Sequence, residues 1–171
     1  MESINCKSSR VAWDSRFGLG SWFICPLERS GEHNRWLATA RDQFEKHGLP
    51  LPFEVRTTTH AVLASEAIHP TKGSLFRSDD GFVAVAGTLF YQGQFGSAAL
   101  GNLLKDFSPP FTQWDDMVGQ FAAVILKTNK LHVFGDYFGT FNLFESVDGR
   151  FLSTSFLSLA RVLERLTFDT Q

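Results

Sequence analysis

The stretch from residue 119 to residue 135, GQFAAVILKTNKLHVFG, constrains the fold of this chain more than any other. Two apolar runs flank a turn at residues 127–130 with Thr-Asn at its centre, which is the pattern of a β-hairpin. The chain also contains 18 Phe among 171 residues. Such side chains bury large areas between packed layers without needing a polar partner. The sequence therefore favours a layered, sheet-rich fold in one domain.

The other elements follow from turn residues and helical spacing. Strands are predicted over 18–27, over 53–67 and in a hairpin over 74–93 that turns at 78–81. One helix is predicted from an N-cap at Ser30 to a C′ residue at Gly48, one over 97–107, and one near the end of the chain. Residues 1–16 are predicted to be irregular. The helical side chains expected to face inward are Trp36, Leu37, Ala40, Phe44, Leu100, Leu103, Leu104, Phe107, Leu159, Val162, Leu163 and Leu166.

Residues 135–145, GDYFGTFNLFE, place an acid, aromatic residues and glycines directly after the hairpin. We interpret this step as a turn inside a β-meander, entered by a strand at 131–134 and left by a strand at 141–145. A carboxylate that opens a tight turn can accept hydrogen bonds from the following amides, and glycine can adopt a positive φ. The sequence therefore predicts that Asp136 holds the turn together with Gly139, rather than taking part in catalysis.

Charge and cysteine content argue against several functional classes. The net charge is −2 and the 16 Lys and Arg are dispersed, so no nucleic-acid partner is expected. No apolar run is long enough to span a membrane. Cys6 and Cys25 have neither disulfide nor metal spacing, which suits a cytoplasmic protein, and Cys25 is predicted to be a buried structural thiol. The His residues are scattered and indicate no metal site, and no cofactor is predicted. The acid pairs at 79–80 and 115–116 lie at predicted turns or strand starts, which argues against glycosidase-like chemistry.

The order of motifs after residue 80 points to a family. The chain carries in succession GFVAVAGTLFY, an amphipathic helix, VGQFAAVIL, LHVFGDYFGTFNLF and FLSTSFLSL. This succession resembles the N-terminal class II glutamine amidotransferase-like domain of asparagine synthetase and its relatives, including beta-lactam synthetase. The resemblance extends over 81–163 and implies an α+β fold, the four-layer αββα sandwich of N-terminal nucleophile (Ntn) hydrolases, with mostly antiparallel sheets. The positions that match family motifs are Gly87, Gly119, Phe121, Asp136 and Gly139.

This chain lacks several residues that the family uses for catalysis. In that family an N-terminal Cys attacks the glutamine side-chain amide, and an Asn-Gly step forms the oxyanion hole. This chain begins Met1-Glu2-Ser3, and Ala86 stands where the family has Asn. The family's Arg-Gly-Pro-Asp and Gly-Ser-Asp-Thr-Glu steps are also missing. We therefore expect no glutaminase activity, unless processing exposes Cys6 or Thr88 as a nucleophile.

These observations lead to one main hypothesis and two alternatives. The main hypothesis is a single degenerate glutaminase-like domain over 1–171 that packs on an ATP-dependent synthetase domain, in cis or in trans. The chain ends near the point where that second domain would begin, and no Ser-Gly-Gly-x-Asp-Ser pyrophosphate loop occurs. The alternatives are a processed amidohydrolase and a stand-alone ligand- or protein-binding module; a homo-oligomer is possible in each case. An exposed apolar patch near the C-terminal helix would favour partner docking.

Overall fold

The computed structural model describes residues 20–50, 52–66 and 73–163. Three α-helices lie within these ranges, α1 (His33–Lys46), α2 (Ser97–Asp106) and α3 (Phe156–Leu163), and a short 3-10 helix spans Trp114–Asp116. The strands in the same ranges are β1 (Ser21–Pro26), β2 (Phe53–Arg56), β3 (His60–Ser65), β4 (Leu75–Ser78), β5 (Gly81–Tyr91), β6 (Gln94–Phe95), β7 (Met117–Lys127), β8 (Lys130–Gly135), β9 (Phe144–Glu145) and β10 (Leu152–Ser153). Residues 1–19, and with them Cys6, lie outside the described part of the chain.

The strands form two antiparallel sheets, so the fold is α+β, as predicted. The first sheet has the order β2-β3-β1-β10-β9, and the second has the order β4-β5-β7-β8 with β6 beside β5. The predicted hairpins are confirmed, because Ser78 pairs with Gly81 and Lys127 pairs with Lys130. Thr128 and Asn129 adopt φ values of 48° and 59°, which is the backbone of a two-residue type I′ turn.

Apolar side chains occupy both faces of each sheet. Successive side chains of a strand point to opposite faces, so β5 directs Phe82 and Ala84 to the first sheet and Val83 and Val85 to α2. Helices α1 and α3 pack on the outer face of the first sheet. The buried side chains between the two sheets are Trp22, Ile24, Val62, Ala64, Phe82, Ala84, Ala86, Ala122 and Val124.

Two polar side chains join separate elements of the fold. Trp22 is fully buried, and its indole Nε1 donates a hydrogen bond across the intersheet core to the Ala122 carbonyl at 3.1 Å. Lys127 extends from the end of β7 to the end of α2. Its Nζ donates to the carbonyls of Leu104 (2.6 Å), Lys105 (2.9 Å) and Phe107 (2.8 Å), so one cation satisfies several of the unpaired carbonyls that end a helix.

The helices agree with the predicted spacing except at one end. Helix α1 begins at His33, with Glu32 at the N-cap position and no side-chain cap, so the prediction of an N-cap at Ser30 is wrong. The Ser30 hydroxyl instead receives the Glu32 amide at 3.4 Å. Gly48 is confirmed as the C′ residue, because its amide donates to the Glu45 carbonyl and the Leu49 amide donates to the Phe44 carbonyl, which is a Schellman motif. Leu166 lies outside the described residues.

The predicted β-meander is wrong. Strand β8 belongs to the second sheet and β9 belongs to the first, so the step between them crosses from one sheet to the other. The strand that leaves the step consists of Phe144–Glu145 alone. The physical reason is that Phe141 turns into the intersheet core instead of continuing a strand. The segment 136–143 therefore lies along one side of the two packed sheets.

Candidate functional site

Asp136 organises the turn that leaves β8. One carboxylate oxygen, Oδ1, accepts the amides of Phe138 (3.1 Å) and Thr140 (3.0 Å). The other, Oδ2, accepts the amides of Phe141 (3.0 Å) and Phe121 (3.3 Å). Gly139 has a φ of 61° and its amide donates to the Asp136 carbonyl, which confirms the predicted turn geometry. Hydrogen bonds from Thr140 first, then from the Phe141 and Phe121 amides, favour the charged form and lower the pKa of Asp136 to about 2.

This turn carries Phe141 to Gly87, the position that resembles the family's oxyanion glycine. A Cβ atom added to Gly87 would lie 2.8 Å from the Phe141 ring and 2.2 Å from the Gln120 carbonyl. The φ of Gly87 is 100°, a conformation that other residues resist. The preceding Ala86 has a fully buried methyl group in the intersheet core. A closely packed ring therefore lies against Gly87, and the methyl group before it is buried.

The start of β1 lies close to the same region. A Cβ atom on Gly20 would be 2.8 Å from the Val85 carbonyl, one residue before Ala86. At this point the Ser21 hydroxyl shares a 3.0 Å hydrogen bond with the hydroxyl of Thr154, and that oxygen also accepts the Trp22 amide at 3.0 Å. The fold thus brings the beginning of the first described strand beside Val85 and its neighbours, and these hydroxyls take part in structural hydrogen bonds.

Two further residues with nucleophilic side chains, Thr88 and Cys25, lie within strands β5 and β1. Thr88 is the eighth residue of the eleven in β5 and pairs with Gln120 of β7, so cleavage before it would cut the longest strand pair of the second sheet. Cys25 is fully buried in β1, as predicted, and burial raises the pKa of its thiol to about 12. Within residues 20–50, 52–66 and 73–163, no three His, Cys, Asp or Glu side chains lie close enough together to hold a metal ion.

A large groove lies beside Gly119 and Phe121, on the side of β7 where β8 has ended. Its volume is about 960 Å³. The side chains of Trp114, Tyr137 and Phe138 form its walls and remain exposed to 48%, 94% and 84%. The remaining lining residues are Asp115, Met117, Val118, Gly119, Gln120, Phe121, Gly135 and Asp136.

The sequence did not identify the aromatic walls of this groove. The residue pattern contained a usable indication, because Tyr137 and Phe138 are adjacent aromatic residues within a predicted turn, where both rings cannot enter one core. Trp114 carried no comparable indication, since Phe111 and Phe107 nearby belong to the buried cluster on α2. Only the end of β8 at Gly135 creates the open space between these segments.

A second exposed apolar group lies near the start of α3. Phe156 and Leu157 are 41% and 47% exposed, and Leu143 is 38% exposed. Phe144, next to Leu143, contacts Phe156 with ring centroids 5.5 Å apart. Segment 136–143 connects this patch to the aromatic groove, so exposed apolar side chains occur at both ends of the crossing between the sheets.

Comparison of the chain with known protein families, with characterised proteins and with solved structures finds no match. Among the helices of the described residues, none has the length and apolar character needed to cross a membrane.

Proposed function

We propose that this chain is a degenerate glutaminase-like domain of the Ntn-hydrolase type that does not hydrolyse glutamine and docks on an ATP-dependent synthetase domain. The observation that carries the proposal is the packing at Ala86 and Gly87. Ala86 has no donor for an oxyanion, and the Phe141 ring fills the space above Gly87. Loss of one oxyanion donor typically costs about a hundredfold or more in rate.

The arrangement of the layers supports the fold within this proposal. Helices α1 and α3 pack outside the first sheet, α2 packs outside the second, and a third group of buried residues lies between the sheets. This packing supports the proposed αββα sandwich. The approach of Gly20 to Val85 also agrees with an architecture in which the first strand begins beside the Ala86-Gly87 step.

The exposed apolar side chains support the docking part of the proposal. Phe156 and Leu157 at the start of α3 form the kind of patch expected of a partner-binding surface rather than an enclosed ligand site. A synthetase domain that packs here, in cis or in trans, would cover these side chains. We assign the chain a structural role toward that domain, with no cofactor of its own.

The test combines glutamine hydrolysis with protein mass. The purified chain is incubated with glutamine and ammonia is measured, and its intact mass is recorded before and after treatment with an electrophilic glutamine analogue. We expect no ammonia above the buffer rate, an undiminished mass and no adduct beyond that formed by the Cys6→Ala variant. A shortened chain that begins at Cys6 or Thr88 and carries one adduct would overturn the proposal.

A further inference from the structure

The second sheet has an open edge where β8 stops. Strand β8 ends with Gly135 opposite Ala122, whereas β7 continues back to Met117, which pairs with Tyr91 of β5. In the described part of the chain, residues 117–120 of β7 therefore have a neighbouring strand on one side only. The turn at Asp136 is the cause, because it takes the chain out of the sheet one residue later.

The backbone groups at this edge point outward in a regular way. The amide and carbonyl of Phe121 both face Asp136, as the 3.3 Å bond to the carboxylate and the 2.9 Å bond from the Asp136 amide show. Backbone groups of a strand alternate between its two edges, so Gly119, two residues earlier, directs its amide and carbonyl to the same open side. An exposed edge of this kind is a template for pairing with another strand.

The groove also supplies places for side chains. Trp114 lies at one end of the open edge, and Tyr137 and Phe138 flank it where β8 would have continued. Val118 of the open edge is 64% exposed. At about 3.3 Å per residue, residues 117–120 leave room for roughly four to six residues of an added strand. A strand in this position would cover apolar surface and satisfy backbone groups together, as in β-augmentation.

The charge of the groove selects among possible occupants. The carboxylates that line it are those of Asp115 and Asp136, and no Lys or Arg is among the lining residues. Asp136 is already saturated by four backbone amides, while Asp115 is exposed to solvent. The net charge of the whole chain is −2. A segment with basic side chains is favoured over an acidic one and over the same groove of a second copy, which carries the same Asp115.

We propose that this groove binds an extended segment of another protein, with alternating apolar and basic residues, that adds to β7 in line with β8. The apolar side chains contact Trp114, Tyr137 and Phe138, the basic side chains face Asp115, and the segment's backbone pairs with Gly119. This inference does not depend on which enzyme, if any, the domain accompanies.

The test uses a fluorescently labelled peptide of eight residues that alternates Lys with Val and Phe. Its anisotropy is measured against the full chain up to 1 mM protein, a range chosen to cover weak peptide binding. Two further versions of the peptide are N-methylated, one at its odd-numbered residues and the other at its even-numbered residues, so that each lacks the backbone donors along one of its two edges. In a third version Glu replaces Lys, which reverses the charge. We expect saturable binding by the Lys peptide, about tenfold weaker binding after one of the two methylations, and weaker binding by the Glu peptide.

Matched variants localise the site. Tyr137→Ala with Phe138→Ala should weaken binding by about tenfold or more, while Val147→Ala, at a fully exposed position in another turn, should leave it unchanged. Asp115→Asn should weaken binding relative to Asp79→Asn in the β4–β5 turn. Absence of saturable binding, equal affinity for both N-methylated peptides and the parent, or equal affinity for the Glu peptide would each overturn the inference. Self-association that the aromatic variants abolish would assign the groove to a second copy and overturn it too.

Discussion

Replacing Phe141 by Ala tests whether its ring packs closely in the intersheet core and against Gly87. The ring lies mostly buried in the intersheet core and against Gly87. Removing about 100–130 Å² of buried apolar surface at about 25 cal/mol/Å² should lower the free energy of unfolding by about 2.5–3.3 kcal/mol. The backbone amide that donates to Asp136 at 3.0 Å remains, so the substitution reports on the side chain alone.

The assay is equilibrium unfolding in urea, followed by thermal unfolding. For a domain of this length the loss corresponds to a decrease in Tm of about 5–12 °C. The matched control is Phe138→Ala, three residues earlier in the same turn, whose side chain is 84% exposed and which should change stability by less than about 0.5 kcal/mol. Similar stabilities for the two variants would refute the packing of Phe141 on which the proposed function depends.

Three further predictions concern the core and the turn. Lys127→Met should lower the free energy of unfolding, measured in urea, by about 1.5–3 kcal/mol because three carbonyls at the end of α2 lose a charged donor. The control Lys130→Met, on the same hairpin, should have little effect. Equal losses of stability in the two variants would contradict the capping role of Lys127. The folded-state pKa of Asp136 is lowered from 3.8 to about 2. The stabilisation that its ionised carboxylate gives to the folded state is therefore complete above about pH 4 and declines toward pH 2. The urea midpoint should therefore fall more steeply over this range in the wild type than in Asp136→Asn, and parallel curves would count against the turn bonds. In a Cys6→Ser background the buried Cys25 should react with a thiol reagent only after unfolding, and rapid reaction of the native protein would show that β1 is accessible.

The turn at Asp136 determines both the packing at Gly87 and the groove beside β7. Four amides converge on one carboxylate, which fixes the direction in which the chain leaves the second sheet. That direction carries Phe141 inward and leaves Tyr137 and Phe138 outside. A turn that the fold requires is therefore also the element that creates both the filled site at Gly87 and the open edge of β7.

Local sequence patterns were sufficient for most of the elements. The hairpin at residues 127–130, the helix over 97–107 and the C′ glycine at position 48 depend on interactions within a few residues, and turn chemistry and helical spacing encode these directly. The role of Asp136 in its turn was accessible for the same reason, because three of its four amide donors follow within five residues.

The sequence by itself determined an α+β domain with apolar strands, the turn at Asp136 and the absence of an asparagine before Gly87. Only the tertiary structure decided that β8 and β9 lie in different sheets, that Phe141 packs on Gly87, and that β7 has an open edge between exposed aromatic rings. These features join residues more than 50 positions apart, as Phe141 and Gly87 are, or depend on where a neighbouring strand ends. Hydrophobic periodicity specifies which face of a strand is buried, but the partner that buries it is chosen by the packing of the whole chain.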